Sequence, residues 1–235
     1  LVRARTDWKT GVRTLEEGAA RLPGDPRFPV TVGALCFHAR QPREAIAAFE
    51  RAETLLTRLP AAGRREAPVH PYFYFWFGVA CDQVGQTERA EALFESSIRL
   101  FPRVSEGCNY LACLCAERRV NLERALVYSR RSLELKPDDP AYLDTLGWIQ
   151  FRLGRLDEAE RLVRQAATLQ DDPEIAGHLA EILEALDRGE EAAVWRRKRD
   201  EAVRREGGEP AAPCAASTSS RPGFRGATRS ARKRF

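Results

Sequence analysis

Residues Pro140 to Asp172 read PAYLDTLGWIQFRLGRLDEAERLVRQAATLQDD, two short amphipathic stretches hinged at Leu153-Gly154-Arg155, with Pro173 opening the next segment. The first stretch carries Leu143, Leu146, Gly147 and Phe151. The second carries Leu156, Ala159, Val163, Ala166 and Leu169, and both have the i, i+3, i+4, i+7 spacing of an apolar helical stripe. A helical hairpin of this size, standing alone, leaves both stripes partly wet. The stretch therefore predicts copies of itself stacked on either side.

With Pro140 as position 1, Leu146 and Gly147 fall at positions 7 and 8, Gly154 at 15, Ala159 at 20 and Ala166 at 27. The same grid starts at Pro71, which puts Phe77-Gly78 at 7 and 8, Gly85 at 15, Ala90 at 20, Phe94 at 24, Ser97 at 27 and Pro102 at 32. From Ser105, Leu111-Ala112 occupy 7 and 8, and a one-residue slip precedes Ala125, Ser132 and Pro137. Pro26 starts a unit with Val32-Gly33, Ala45, Phe49 and Ala52, and Pro173 one with Leu179-Ala180 and Ala192. Read backwards from Pro26, the grid places Pro23, Gly18, Leu15 and Gly11 at 32, 27, 24 and 20, as in the second helix of a unit whose first helix is missing. The chain is thus expected to begin inside a repeat, with Trp8 partly covering the open face.

The grid has a steric reason. Positions 8, 20 and 27 are small where the helices of a hairpin, and the first helix of the next, come closest, and larger residues at 7 and 24 fill the space around them. Glycine at 15 accepts the left-handed backbone that ends the first helix, and proline near 32 stops the second.

This pattern resembles the tetratricopeptide repeat (TPR) family, whose helix-turn-helix unit repeats about every 34 residues. The resemblance covers Pro26 to about Glu206 and implies an all-α, right-handed α-solenoid of stacked helix-turn-helix hairpins. Asn109-Tyr110-Leu111-Ala112, Ala116-Glu117-Arg118 and the run from Pro137 to Trp148 are similar to a bacterial class of such proteins, often exported or envelope-associated. The expected organisation is a partial repeat over 1–25, five units with a C-terminal capping helix over 26–206, and a disordered basic tail over 207–235. The fifth unit departs from the pattern, with Asp187 near the hinge and Arg196 and Arg199 at positions 24 and 27, as a cap with one wet face requires. Thr57 to His70 reads as an extended helix end and a surface loop.

Composition narrows the classes. The richest apolar run, Pro71 to Cys81, is far short of the roughly 18 to 20 residues a membrane-spanning helix needs. The chain starts at Leu1 and contains no methionine, so any targeting signal lies out of view and the compartment is not read. Of the net charge of +4, six positive charges sit between Pro210 and Phe235 with no acidic residue, leaving −2 on the rest. Arg221, Arg225, Arg229, Arg232, Lys233 and Arg234 offer a second reading, nucleic-acid or anionic-surface binding through the tail, to which Phe224 and Phe235 add little aromatic interleaving.

Candidate chemistry is sparse. Cys36, Cys81 and Cys115 share position 11, a packing site, and read as core filler. Cys113 and Cys115 point about 200° apart on a helix, which disfavours one metal ion between them. Cys113, at position 9, is expected to be the accessible thiol of the folded part. His38, His70 and His178 lie in different segments with no nucleophile or carboxylate at a recognised spacing. No phosphate loop, nucleophile elbow or paired-carboxylate signature appears. The expectation is a non-enzymatic chain with no cofactor, metal or small-molecule substrate.

The resemblance implies that the first helices line a concave groove, with positions 2, 5, 9, 12 and 13 facing it. These are Phe37 and His38; Phe75, Val79 and Asp82; Asn109 and Cys113; Asp144, Trp148, Phe151 and Arg152; and Glu181. An aromatic floor with a few polar groups suits a peptide or protein partner with apolar anchors, with Phe75, Trp148 and Phe151 as the expected anchors. The carboxylate-gripping lysines, arginines and asparagines of cochaperone TPR domains are absent here apart from Asn109 and Arg152. The alternative is a regulatory or substrate-recruiting segment of a longer enzyme.

Overall fold

The computed structural model describes residues 2–59 and 69–205. Eleven α-helices and no strand occur among the described residues: α1 Val2–Arg21, α2 Arg27–His38, α3 Pro42–Arg58, α4 Phe73–Gln83, α5 Thr87–Leu100, α6 Ser105–Arg118, α7 Leu122–Leu135, α8 Pro140–Arg152, α9 Leu156–Leu169, α10 Pro173–Ala185 and α11 Gly189–Arg205. From α2 onward they pair as hairpins, α2 with α3 through α10 with α11. Each second helix also packs on the next first helix, while first helices touch one another at several junctions. This is a solenoid, with first helices in an inner row and second helices in an outer one. Residues 60–68 of the predicted Thr57–His70 loop, and the basic tail over 207–235, lie outside the described residues.

Local chemistry starts and stops these helices. Asp139 caps α8 by accepting from the Ala141 N–H at 3.1 Å, and Asp172 caps α10 by accepting from the Glu174 N–H at 2.8 Å, each followed by proline at the first helical position. The hinge residue has positive φ in every hairpin, at Gly85 (79°) and Gly154 (77°), but also at Arg40 (57°), Arg119 (54°) and Asp187 (57°). Asp187 therefore keeps the hinge geometry that its residue type hides. The one-residue slip of the third unit is the longer turn Arg119-Val120-Asn121, where Asn121 is also left-handed at φ 51°.

The small positions are closed by contact. A Cβ on Gly33 would sit 2.4 Å from the Phe49 ring, on Gly78 2.6 Å from Phe94, and on Gly147 2.5 Å from Val163 Cγ2 and 3.2 Å from the Ala159 carbonyl oxygen. Ala45, Ala90, Ala125, Ala159 and Ala192 have no exposed surface, so the alanine at position 20 (one later in the third unit) is sealed in every hairpin. Cys36, Cys81 and Cys115 are buried as core filler. Cys113 is buried too, 5 % exposed, which corrects the expectation of an accessible thiol; the helix that carries it is packed from Gly107 to Ala116 without an open side.

The outer row is tied by exposed ion pairs, among them Arg89 to Glu50 (2.6 Å), Arg124 to Glu95 (2.7 Å), Arg164 to Glu191 (3.0 Å) and Arg188 to Glu160 (2.8 Å). Each is worth about 1 kcal/mol or less, so they fix register more than they stabilise. At the end, α11 buries only Ala192 and Ala202, and Arg196 pairs with Glu184 instead of filling a core site. At the other end, Trp8 on α1 is half-buried and packs on the core.

Candidate functional site

The inner row is joined from one hairpin to the next by rings that meet carboxylates. Tyr110 on α6 donates its hydroxyl to Asp82 Oδ2 on α4 at 3.3 Å. Trp148 on α8 donates its indole N–H to Glu117 Oε1 on α6 at 2.5 Å. His178 on α10 meets Asp144 Oδ2 on α8 at 2.9 Å and stacks on Trp148 with ring centroids 3.9 Å apart. In each case the later hairpin brings the ring and the earlier one the acceptor. Between the first two hairpins the contact is aromatic: Trp76 lies against Phe37 and His38, at 6.3 and 5.4 Å between centroids, and stacks on His70 at 4.6 Å.

These junctions redistribute the predicted groove residues. Phe75 (4 %), Val79 (1 %), Asn109 (1 %), Cys113 (5 %), Asp144 (5 %) and Trp148 (3 %) are buried. Two of the three expected anchors, Phe75 and Trp148, are thereby corrected to packing residues. Phe75 sits edge-on to Tyr110 at 6.1 Å, and the Trp148 ring carries His178, the Phe151 ring at 4.9 Å and the Arg152 guanidinium at 4.1 Å. Phe37, Asp82, Phe151 and Arg152 are half-buried, and His38 and Glu181 are exposed. The reading from spacing misses Trp76, Tyr110 and His178 as junction residues. A signal exists, since all three stand at position 6 of their units.

The electrostatics of the cluster follow from this packing. Burial alone would keep His178 neutral; the Asp144 charge and hydrogen bond, with Glu174 and Glu117 nearby, overcome it and raise the imidazole to about 9. His178 is therefore a cation at neutral pH. Burial raises the Asp82 carboxyl, against the Tyr110 hydroxyl that lowers it. Burial, then the neighbouring Arg119, lowers Arg152. His38 and His70 are held below the ordinary imidazole value by partial desolvation against the Trp76 ring, with His70 adding to the effect on His38. The Cys36 and Cys81 thiols are pushed up to about 11, again first by burial, which removes the thiolate a nucleophile needs. Among the described residues no group of three or more His, Cys, Asp or Glu side chains converges as a metal site.

Residues 140–165, the hairpin α8–α9, match the tetratricopeptide repeat family model. The match identifies this hairpin as a tetratricopeptide repeat. It is 42 % identical over 80 residues to a TPR repeat-containing protein of Pseudomonas aeruginosa, covering 34 % of this chain and 14 % of that protein. It is 27 % identical over 142 residues to human tetratricopeptide repeat protein 7B, covering 58 % of this chain and 16 % of that one. The chain thus spans about a seventh of the length of these curated relatives. Among solved structures, MamA of Desulfovibrio magneticus RS-1 superimposes with a TM-score of 0.61 at 16 % identity, over 78 % of this chain and 97 % of that one. A thermophilic TPR protein of Thermus thermophilus gives 0.60 at 23 % identity, over 77 % and 93 %. These likenesses establish the fold of the TPR array. No helix among the described residues is long and apolar enough to cross a membrane.

Proposed function

We propose that this TPR array is a scaffold that holds a peptide or protein partner along its inner row and performs no chemistry itself. The observation that carries the reading is the polar and aromatic surface the junctions leave unspent: Phe151 and Arg152 beside buried Trp148, with Phe37 and His38 at one end and Asp82 and Glu181 on flanking helices. Locked junctions keep this surface preformed, so binding orders the ligand rather than the protein. Phe151 is the remaining expected anchor, and Phe75 and Trp148 serve by holding the helices that present it.

Because the curated relatives are about seven times longer than their matched portion, the same reading extends to a segment that recruits a substrate for a longer protein. The test is selection from a random peptide library with the full chain, then binding of the selected peptides to Phe151→Ala, Arg152→Ala and, on the outer row, Val127→Asp, a residue 65 % exposed. Inner-row changes should weaken binding about tenfold or more while the outer-row change leaves it intact. Equal effects from both rows, or no selectable peptide, would remove the scaffold reading.

A further inference from the structure

Cys113 on α6 is disulfide-bonded. Cys36, Cys81, Cys108 and Cys115, the other cysteines of the described residues, are free thiols. The chain holds six cysteines, so one is left to supply the second sulfur: Cys214, in the C-terminal segment. The 5 % exposure of Cys113 fits a sulfur covered by a bonded partner. Its neighbours on α6 are poor competitors for the bond. Burial raises the Cys108 thiol, and burial with the Glu91 charge raises Cys115, so both stay protonated at neutral pH. Cys115, two residues along the helix, also points about 200° away from Cys113.

The bonded sulfur sits beside the surface that the junctions present. Cys113 stands one helical turn before Glu117, on the face of α6 that receives the Trp148 indole N–H. Phe151 and Arg152 lie against that same indole, at 4.9 and 4.1 Å. A segment bonded at Cys113 therefore leaves α6 next to them. The tether is long enough. Arg205, the last residue of α11, reaches Asp171 at 2.8 Å, at the turn before α10. Cys214 follows nine residues later, an extended length of about 30 Å. From α10 to α6 is two spacings of packed helices, about 20 Å, and Cys113 lies eight residues past Ser105, about 12 Å along α6. The direct distance is thus about 23 Å. Residues 207–220 are Gly, Glu, Pro, Ala, Cys, Ser and Thr alone, small enough side chains to lie against a packed helix row.

We infer that Cys113 pairs with Cys214, and that this disulfide draws the C-terminal segment over the inner row and closes it to partners. The pairing stands apart from the scaffold reading above; the closing rests on it. Formation is a two-electron oxidation by a low-molecular-weight disulfide of the glutathione kind. The Cys214 thiolate attacks one sulfur of that disulfide and releases the first small thiol. The Cys113 thiolate then attacks the Cys214 sulfur of the mixed disulfide and releases the second. Two electrons and two protons leave the protein on the two released thiols. A dithiol reductant reverses both steps and opens the row.

The experiment maps the bond and then reads its effect. The full chain, equilibrated with oxidised glutathione, is capped with N-ethylmaleimide, digested with trypsin and sequenced by tandem mass spectrometry. The expected result is peptide 104–118 joined to peptide 206–225, with Cys108 and Cys115 capped and the link at Cys113. Dithiothreitol and Cys214→Ser should each abolish it. No link, a link at Cys108 or Cys115, or a disulfide-bonded dimer on a non-reducing gel overturns the pairing. Peptides selected from a random library on the reduced chain should then bind it about tenfold more tightly than the oxidised chain, while Cys214→Ser binds them equally under both conditions. A linked chain that binds as tightly as the reduced one overturns the closing. If the link is mapped but neither the reduced chain nor Cys214→Ser selects any peptide, the scaffold reading and the closing fall and the pairing stands.

Discussion

His178 is the residue on which the inner row's electrostatics turn. Its folded-state value of about 9 lies above the ordinary 6.5, so the contact with Asp144 contributes its full stability below about pH 6.5 and loses it as pH rises through about 9. The shift corresponds to roughly 3 kcal/mol. Thermal unfolding followed by circular dichroism should show the melting temperature falling between pH 6.5 and 9.5, and His178→Gln should flatten that dependence; an unchanged slope in the variant would place the titration elsewhere. Hinge residues give a second prediction. Left-handed backbone costs a side-chain-bearing residue about 1 kcal/mol, partly offset by the flexibility glycine adds to the unfolded chain. Arg119→Gly should raise stability by about 0.5 kcal/mol, and Gly154→Ala should lower it by about 1 kcal/mol, both measurable by urea titration. The hinge is readable as glycine at Gly85 and Gly154, whereas at Arg40, Arg119 and Asp187 only position in the register reveals it. The turn is imposed by packing of the two helices it joins, which overrides residue preference.

At the scale of helices, the register set by Gly33, Gly78 and Gly147 is legible in the sequence because a steric requirement leaves a residue-type mark: a Cβ there meets a ring or branched side chain at 2.4–2.6 Å. The partners of the inner-row rings leave no such mark. Spacing fixes which way Trp148 faces relative to its own hairpin, but its burial depends on how the next hairpin sits, so from spacing alone it reads as an open anchor. His178 and Phe151 close over it, and Glu117 takes its N–H. Trp148→Ala should consequently destabilise by about 3 kcal/mol or more, as large ring deletions in cores do. Trp148→Phe should cost less, since it keeps a ring for stacking and loses only the hydrogen bond. A Trp148→Ala protein with unchanged denaturation midpoint would return Trp148 to the groove.

The described hairpins behave as a one-dimensional array, because each packs chiefly on its neighbours. Stability in such arrays is a sum of unit and junction terms. Gly147→Val, which overpacks the α8–α9 hairpin against Val163, should cost about 1–3 kcal/mol and uncouple the two sides of the array, splitting a single denaturation transition into two. A stiff array with locked inner junctions is also what a preformed binding surface requires. Hydrogen exchange of the full chain with and without a bound library-selected peptide tests this most directly. The account predicts added protection along α4, α6, α8 and α10, with α5, α7 and α9 unchanged; protection confined to the outer row would contradict it.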